Sequence, residues 1–181
     1  MIWNDTRIRA AAQAGMIEPF DEHCLNPASY NLRLGNKIRL PRRNVLHYRP
    51  VSRRTRDTDY LDAETTFGQH VLLPGAFCLC HSLEYVRIPI TATGWLFCRS
   101  SMGRIGLEHL HAGYADPGFH GQLTFEFHNA SPWPIVLDAG DAYMQIVFCS
   151  MAGDPERGYA ETGRYQGQTG VTPARCDPLP R

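Results

Sequence analysis

The sequence lacks an apolar run of the roughly 20 residues that a membrane-spanning helix requires. Its first residues, Met1–Asp5, also lack the basic-then-apolar pattern of a signal peptide, so we expect a cytoplasmic protein with no membrane partner. An excess of charge of one sign is missing as well, because 18 basic residues balance 18 acidic ones. Proteins that coat a nucleic-acid backbone usually carry a basic excess, which disfavours a nucleic-acid polymer as partner. A small anion in a local basic pocket remains compatible with this balance.

The pattern of apolar residues predicts one mainly β domain over residues 1–181, a barrel or sandwich with little helix. From Val71 onward, short apolar runs separated by Pro and Gly predict strands at 71–73, 77–81, 85–88, 94–98, 123–127, 135–137 and 143–148. A short helix is predicted from about Arg7 to Ala14, capped by Asp5 or Thr6. Alternating apolar residues on both sides of the turn at 35–36 predict a β-hairpin over 30–40. From about 153 to 181, Gly, Pro, Thr and Arg predict a flexible tail that could order on a ligand.

The segment at 41–66 differs in character, because arginines crowd its first part and acidic residues its second. We interpret it as an exposed excursion whose charges neutralise one another. The alternative is a basic surface for a phosphate or a partner, with Arg53, Arg54 and Arg56 as its centre.

The segment at 99–104 reads RSSMGR and follows a predicted strand. Its two arginines, Arg99 and Arg104, offer forked donors for phosphate oxygens, and Ser100 and Ser101 add neutral donors. This set of groups suits a polyphosphate. The alternative is that the serines only cap a short helix while both arginines are solvated.

Two further segments carry candidate polar groups. In the turn at 112–121, the carboxylate of Asp116 could accept a hydrogen bond from a ribose hydroxyl, although a plain hairpin loop would look the same. On the predicted strand at 122–129, Leu123, Phe125 and Phe127 face the core, and Glu126 lies on the opposite face. Partial burial there would suit Glu126 to general acid–base work; the alternative is an ordinary exposed strand glutamate.

These segments resemble, in order and spacing, those of the dCTP deaminases, relatives of the trimeric dUTPases. The resemblance extends to 27–35 (PASYNLRLG), 73–75 (LPG), 83–86 (LEYV) and 164–170 (RYQGQTG), and covers nearly the whole chain apart from the excursion. It implies a distorted β-barrel or jelly-roll-like fold of the dUTPase type. It also implies a homotrimer with sites between subunits, with Mg²⁺ carried by the triphosphate.

The resemblance assigns roles to individual residues. Arg99, Ser100, Ser101 and Arg104 match the segment that holds phosphates and borders the reacting carbon. Glu126 matches the catalytic glutamate, with Arg104 and Ser100 beside it. Matches to substrate-binding positions are found at Asp116 for the deoxyribose, at His111 and Ala112 near the base, and in the tail at Tyr159, Arg164 and Gln168.

The implied reaction turns dCTP into dUTP and ammonia. One carboxylate can take a proton from the water that attacks C4 of cytosine and return it to the ring and the leaving amine. Zinc deaminases instead use H-x-E with P-C-x-x-C, which this sequence lacks. Cys78, Cys80 and His81 lack zinc-knuckle spacing, and on a strand the two thiols would face away from the histidine. We interpret them as core thiols and expect no zinc.

Two departures from the family pattern are present. Asn31 stands where the family usually has Asp, a change that concerns local structure more than chemistry. The stretch at 107–112 is one residue short, with His111 in place of a typical threonine beside the base. Three alternatives therefore stay open beside plain dCTP deamination. They are a bifunctional enzyme that yields dUMP and pyrophosphate, a deaminase for a modified cytosine nucleotide, and a nucleotide-binding regulator without turnover. Feedback inhibition by dTTP stays an open expectation.

Overall fold

A computed structural model describes residues 1–42, 50–110 and 112–175. The chain is mainly β, as predicted. Its described strands are β1 Ile17–Glu18, β2 Leu25–Asn26, β3 Ser29–Arg33, β4 Lys37–Ile38, β5 Thr65–Thr66, β6 Gln69–Leu72, β7 Phe77–Arg87, β8 Ala92–Cys98, β9 Leu107–His109, β10 Tyr114–Ala115, β11 His120–Asn129, β12 Ile135–Asp138 and β13 Ala142–Ser150. Its described helices are α1 Asp5–Gln13, α2 Ser100–Arg104 and α3 Tyr159–Thr162, with 3-10 turns at Glu22–Cys24 and Asp57–Asp59.

Helix α1 begins two residues earlier than predicted. Asn4, rather than Asp5 or Thr6, is its N-cap, because the Asn4 side chain accepts a hydrogen bond from the Arg7 amide at 3.1 Å. Gly15 follows the helix with φ of +93°, a conformation that suits glycine at a helix end. None of the described helices is long and apolar enough to cross a membrane, and α1 has only nine residues.

Two larger sheets enclose the main core. One has the strand order β1-β7-β11-β9 and the other β10-β8-β13-β3-β2, while β12-β6 and β4-β5 form separate pairs. Within the described residues these sheets do not close into a hydrogen-bonded barrel. Side chains from both larger sheets meet in one apolar cluster, which includes Tyr30, Leu32, Phe125, Phe127 and Phe148.

The predicted hairpin over 30–40 is wrong. β3 pairs with β13 and β2, whereas β4 pairs with β5, so the turn at 35–36 joins strands of two different sheets. Glycine at 35 lets this turn lie against His81, since a Cβ there would lie 2.1 Å from the His81 ring. The runs at 77–81 and 85–88, predicted as two strands, form the single strand β7 with Ser82 and Glu84 fully buried within it.

The Glu84 carboxylate can be buried because Arg33 donates hydrogen bonds to both of its oxygens. The Arg33 backbone amide and its Nε donate to the two carboxylate oxygens at 2.9 and 2.7 Å. Burial nevertheless raises the pKa of the Glu84 carboxyl, against the hydrogen bonds from Arg33. Arg33 also pairs with Asp21 at 3.1 Å, so this network ties the segment before β2 to both larger sheets.

Candidate active site

A cleft of about 370 Å³ opens along the outer face of β11. Its wall is largely apolar and aromatic, with a few polar groups that converge on the interior, as in many small-molecule sites. Glu126 and Thr124 lie on β11 itself, and Asp116, Ala112 and Tyr114 come from the loop and strand before it. The remaining lining residues are Tyr60, Phe77, Leu79, Leu96, Ala115, Phe119, Leu123, Tyr159, Tyr165, Gln168, Thr172, Pro173 and Ala174.

Glu126 faces the cleft because β11 alternates strictly. Phe125 and Phe127 are fully buried on the core side, and the Glu126 side chain retains 23% exposure on the other. Its Oε2 lies 3.0 Å from Nε2 of His109, a side chain that is only 3% exposed. The angles do not make this contact a hydrogen bond, and among the described residues neither atom has another hydrogen-bond partner. The contact therefore leaves both atoms able to bind a further polar group.

His109 was missed by the sequence reasoning, which singled out His111 nearby. β9 pairs with β11 so that His109 lies opposite Phe127, and the imidazole packs edge-on against Phe125 and Phe127. Leu107, Glu108 and His109 are buried, exposed and buried in β9. The alternation of Leu107 with the charged Glu108 was the usable sequence signal for this strand. His111 itself lies outside the described residues.

Asp116 and Ala112 form the cleft wall next to β11. Burial raises the pKa of the Asp116 carboxyl. Ala112 is exposed, and its neighbour Gly113 approaches Leu96 so closely that a Cβ there would lie 2.7 Å from the Leu96 carbonyl oxygen. Glycine at 113 therefore keeps the Ala112 backbone against β8.

The described part of the tail lies against this cleft. Tyr159 packs edge-on against Phe119 with ring centroids 5.6 Å apart, and its amide donates to the Pro117 carbonyl at 2.9 Å. Gln168 is 9% exposed and donates from Nε2 to the Gln122 carbonyl at 2.7 Å. The structure thus brings these two predicted tail residues to the cleft. Whether the tail opens stays a prediction.

The predicted phosphate-binding residues do not line this cleft. Arg99 donates from Nη1 to the Ala142 carbonyl at 2.8 Å, while Ser100, Ser101 and Arg104 lie exposed on helix α2. Arg164 is also exposed, with Nη1 3.4 Å from the Arg175 carbonyl oxygen. The predicted residues therefore divide into a cleft group (Glu126, Asp116, Ala112, Tyr159 and Gln168) and a second group outside the cleft (Arg99, Ser100, Ser101, Arg104 and Arg164). Arg99 is half-buried, and the other members of the second group are exposed.

The described part of the arginine-rich excursion carries the ion pairs expected of a self-neutralising surface. Arg42 contacts Asp62 at 3.7 Å, and Arg56 contacts Asp59 at 3.3 Å. Residues 43–49, which include Arg43 and Arg49, lie outside the described residues. Sequence reasoning did not anticipate that Tyr60, at the end of this excursion, would line the cleft.

The thiols of Cys78 and Cys80 are core groups, as predicted. Both are fully buried on one face of β7 with their Sγ atoms 3.8 Å apart. His81 points to the other face, where its Nδ1 lies 2.8 Å from the Ser82 carbonyl oxygen. Among the described residues, no group of three or more His, Cys, Asp or Glu side chains is arranged to hold a metal ion.

Comparison with known proteins places this architecture in a family. The family model described as dCTP deaminase-like matches residues 2–151. The chain belongs to the dCTP deaminase-like family. A protein of Aquifex aeolicus named "dCTP deaminase, dUMP-forming" is 38% identical over 178 residues, which cover 97% of this chain and 94% of that protein. A protein of the same name from Mycobacterium marinum is 35% identical over 182 residues, 97% of this chain and 95% of that one.

A solved structure agrees with this family. The 2'-deoxycytidine 5'-triphosphate deaminase from Agrobacterium tumefaciens superposes with a TM-score of 0.66 at 25% identity. The match covers 83% of this chain and 48% of the Agrobacterium chain, so the present chain spans about half of that protein. The predicted resemblance to dCTP deaminases is therefore confirmed.

Proposed function

We propose that this protein is an enzyme that deaminates dCTP hydrolytically to dUTP and ammonia. The observation that carries the proposal is the convergence of Glu126, Asp116, Ala112 and Gln168 on one largely apolar cleft. The family membership of the chain supports the same reaction class. A cleft of this kind can exclude bulk water from the base while leaving one carboxylate to manage protons.

In the proposed mechanism, Glu126 takes a proton from a water molecule while the oxygen of that water attacks C4 of cytosine. The same carboxyl then delivers that proton to N3 of the ring, and a second transfer leads from the new hydroxyl to the 4-amino group. The C4–N bond breaks, ammonia leaves, and a carbonyl remains at C4. His109, 3.0 Å from Glu126 Oε2, would hold the carboxylate towards the base.

We propose that the phosphates bind to the second group of residues, outside the cleft, on a neighbouring subunit. Arg99, Ser100, Ser101 and Arg104 lie outside the cleft of their own chain, which suits a site shared between subunits of a homotrimer. Arg104 and Ser100 would steady the charge that develops at the base, and Arg164 would close over the triphosphate. The described residues offer no cage of carboxylates, so a Mg²⁺ ion held mainly by phosphate oxygens and water fits the donors present.

A second candidate continues the reaction to dUMP and pyrophosphate. The curated relatives reported above carry the name "dUMP-forming", which favours this bifunctional course. Asp116 would then serve as the base that activates a second water for attack on the triphosphate. Partial burial raises the pKa of its carboxyl, which makes its carboxylate a stronger base.

Incubation with dCTP and Mg²⁺, followed by chromatographic separation of nucleotides and an ammonia assay, tests both candidates. Glu126→Gln should lower deamination by at least about a hundredfold, because the amide cannot relay protons. Glu108→Gln is the matched control, since Glu108 lies exposed on β9 and pairs with His128 at 3.1 Å. Release of ammonia with dUTP supports the first candidate, and dUMP with pyrophosphate supports the second.

Three outcomes would contradict the proposal. Intact dCTP with the unmodified protein would move the search to modified cytosine triphosphates, given the unusual His111. Tight binding of nucleotide without ammonia from any of them would indicate a regulator that lacks turnover. Equal activity in Glu126→Gln and the Glu108→Gln control would remove Glu126 from the mechanism.

A further inference from the structure

The tail docks on β11 through two backbone hydrogen bonds. The Gly167 amide donates to the His120 carbonyl at 2.8 Å, and the Gln122 amide donates to the Gln168 carbonyl at 2.9 Å. Gly121, with φ of +152°, makes this approach possible, because a Cβ there would lie 2.9 Å from the Gln168 carbonyl oxygen. These backbone hydrogen bonds hold Gln168 at the cleft.

A bulge between β7 and β11 orients the Gln122 side chain. The register of the two strands shifts between Gln122 and Thr124, and the Leu123 amide is satisfied by Ser82 Oγ at 2.8 Å instead of by a ladder bond. The carbonyls of Ser82 and Leu83 then accept from Gln122 Nε2 at 3.1 and 3.2 Å. Because Nε2 is held by these carbonyls, Oε1 is directed to the tail.

Two adjacent amides of the tail meet two side-chain acceptors from different parts of the chain. The Gly170 amide donates to Gln122 Oε1 at 2.7 Å, and the Val171 amide donates to Glu64 Oε2 at 2.8 Å. Gly170 has φ of +63°, which turns both amides outward to their acceptors. Val171 is 5% exposed and packs in a small cluster with Leu61 and Leu79.

We propose that Gln122 and Glu64 form a clamp that positions the closed tail, and Gln168 with it, over the cleft. The clamp sets the affinity for the nucleotide rather than the rate of the chemical step, because neither side chain belongs to the proton relay. If the tail is closed in only a fraction of the molecules, the apparent Kd for nucleotide equals the Kd of the closed form divided by that fraction. The link to affinity rests on the proposed function; the clamp itself does not.

Amide hydrogen exchange without nucleotide tests the clamp directly. Gln122→Met keeps the length of the side chain and removes both its donor and its acceptor, so exchange at Gly170 should accelerate about tenfold. Gln69→Met is the matched control, since Gln69 lies exposed on β6 and its Nε2 donates to Asp138 Oδ1 at 2.8 Å, on a strand that does not contact the tail hydrogen bonds above. For the second acceptor, Glu64→Met should accelerate exchange at Val171, and Glu64→Gln, which keeps an oxygen, should restore most of the protection.

Steady-state kinetics with dCTP test the consequence. In Gln122→Met we expect KM to rise about tenfold with kcat within twofold of the parent, and no change in Gln69→Met. Unchanged exchange at Gly170 in Gln122→Met would overturn the clamp, and so would a fall in kcat at constant KM. If the parent protein shows no turnover of dCTP, the proposed function fails, while the exchange measurement still decides the clamp.

Discussion

Glu126 takes its setting from two strands rather than one. The alternation along β11 places it opposite the buried Phe125 and Phe127, and this side of the strand was readable from the sequence. Its partner His109 comes from β9, whose pairing with β11 sets the 3.0 Å contact between Nε2 and Oε2. A residue that local pattern shows only as polar and outward thus becomes half of a buried pair.

His81 predicts how stability depends on pH. Burial lowers the pKa of its imidazole, and Nδ1 must carry a proton to donate to the Ser82 carbonyl 2.8 Å away. Among the described residues, the buried Nε2 has no acceptor to receive a second proton. A lowered folded-state pKa means that the unfolded chain binds the proton first. The stability that neutral His81 contributes is present above the unfolded pKa of 6.5 and is lost as pH falls through the folded pKa.

We expect the free energy of unfolding to fall below pH 6.5, with a contribution from His81 of at most about 1.4 kcal/mol per pH unit for one linked proton. Urea titrations at several values between about pH 5 and 8, where histidine titrates, measure this slope. In His81→Gln, which can still donate to Ser82, the slope should be smaller. An identical slope in the variant would show that His81 is not the group responsible.

At the scale of elements, the sequence predicted which segments are strands better than it predicted their partners. β8, β11, β12 and β13 were all anticipated within a few residues, because alternation and Pro or Gly boundaries are local signals. The hairpin over 30–40 failed because β3 has its main partner in β13, far along the chain. The same limit hid His109, which contacts Glu126 only because β9 pairs with β11, and Tyr60, which lines the cleft from the excursion.

Because the tail docks on β11 at Gly121, adding one methyl group there should displace the tail. In Gly121→Ala, the new Cβ would meet the Gln168 carbonyl oxygen at 2.9 Å, and φ of +152° would itself be strained. We expect the tail to be displaced and KM for dCTP to rise by about tenfold or more. Gly68→Ala is the control, because a Cβ at Gly68 would contact nothing within 4 Å. Equal KM values for the two variants would show that the tail does not need this contact.

At the scale of the whole molecule, an exposed aromatic face connects the two groups of candidate residues. Trp95 and Phe97 on β8 are 48% and 45% exposed, and Tyr114, which pairs with Trp95, is 56% exposed. β8 ends directly before Arg99, and Tyr114 also lines the cleft. An aromatic face of this kind is typical of a protein–protein contact. It supports the proposed homotrimer, in which the proposed phosphate-binding residues of one subunit would meet the cleft of the next.

A mixture of two inactive variants separates a shared site from a site within one chain. Arg104→Ala retains Glu126, and Glu126→Gln retains Arg104, so neither chain alone should turn over dCTP. In randomly mixed trimers made by co-expression, about one site in four should combine the intact Glu126 of one subunit with the intact Arg104 of its neighbour. Activity near a quarter of the parent value would then appear in the mixture.

The doubly substituted chain, Arg104→Ala with Glu126→Gln, mixed with Glu126→Gln provides the control, because no subunit then carries the intact glutamate and no site can recover. Light scattering of each mixture checks that trimers are present. If both residues act in the same chain, no mixed assembly contains a complete site, and the mixture will be as inactive as its components. That result would assign Arg104 to the site of its own chain and rule out a site shared between subunits.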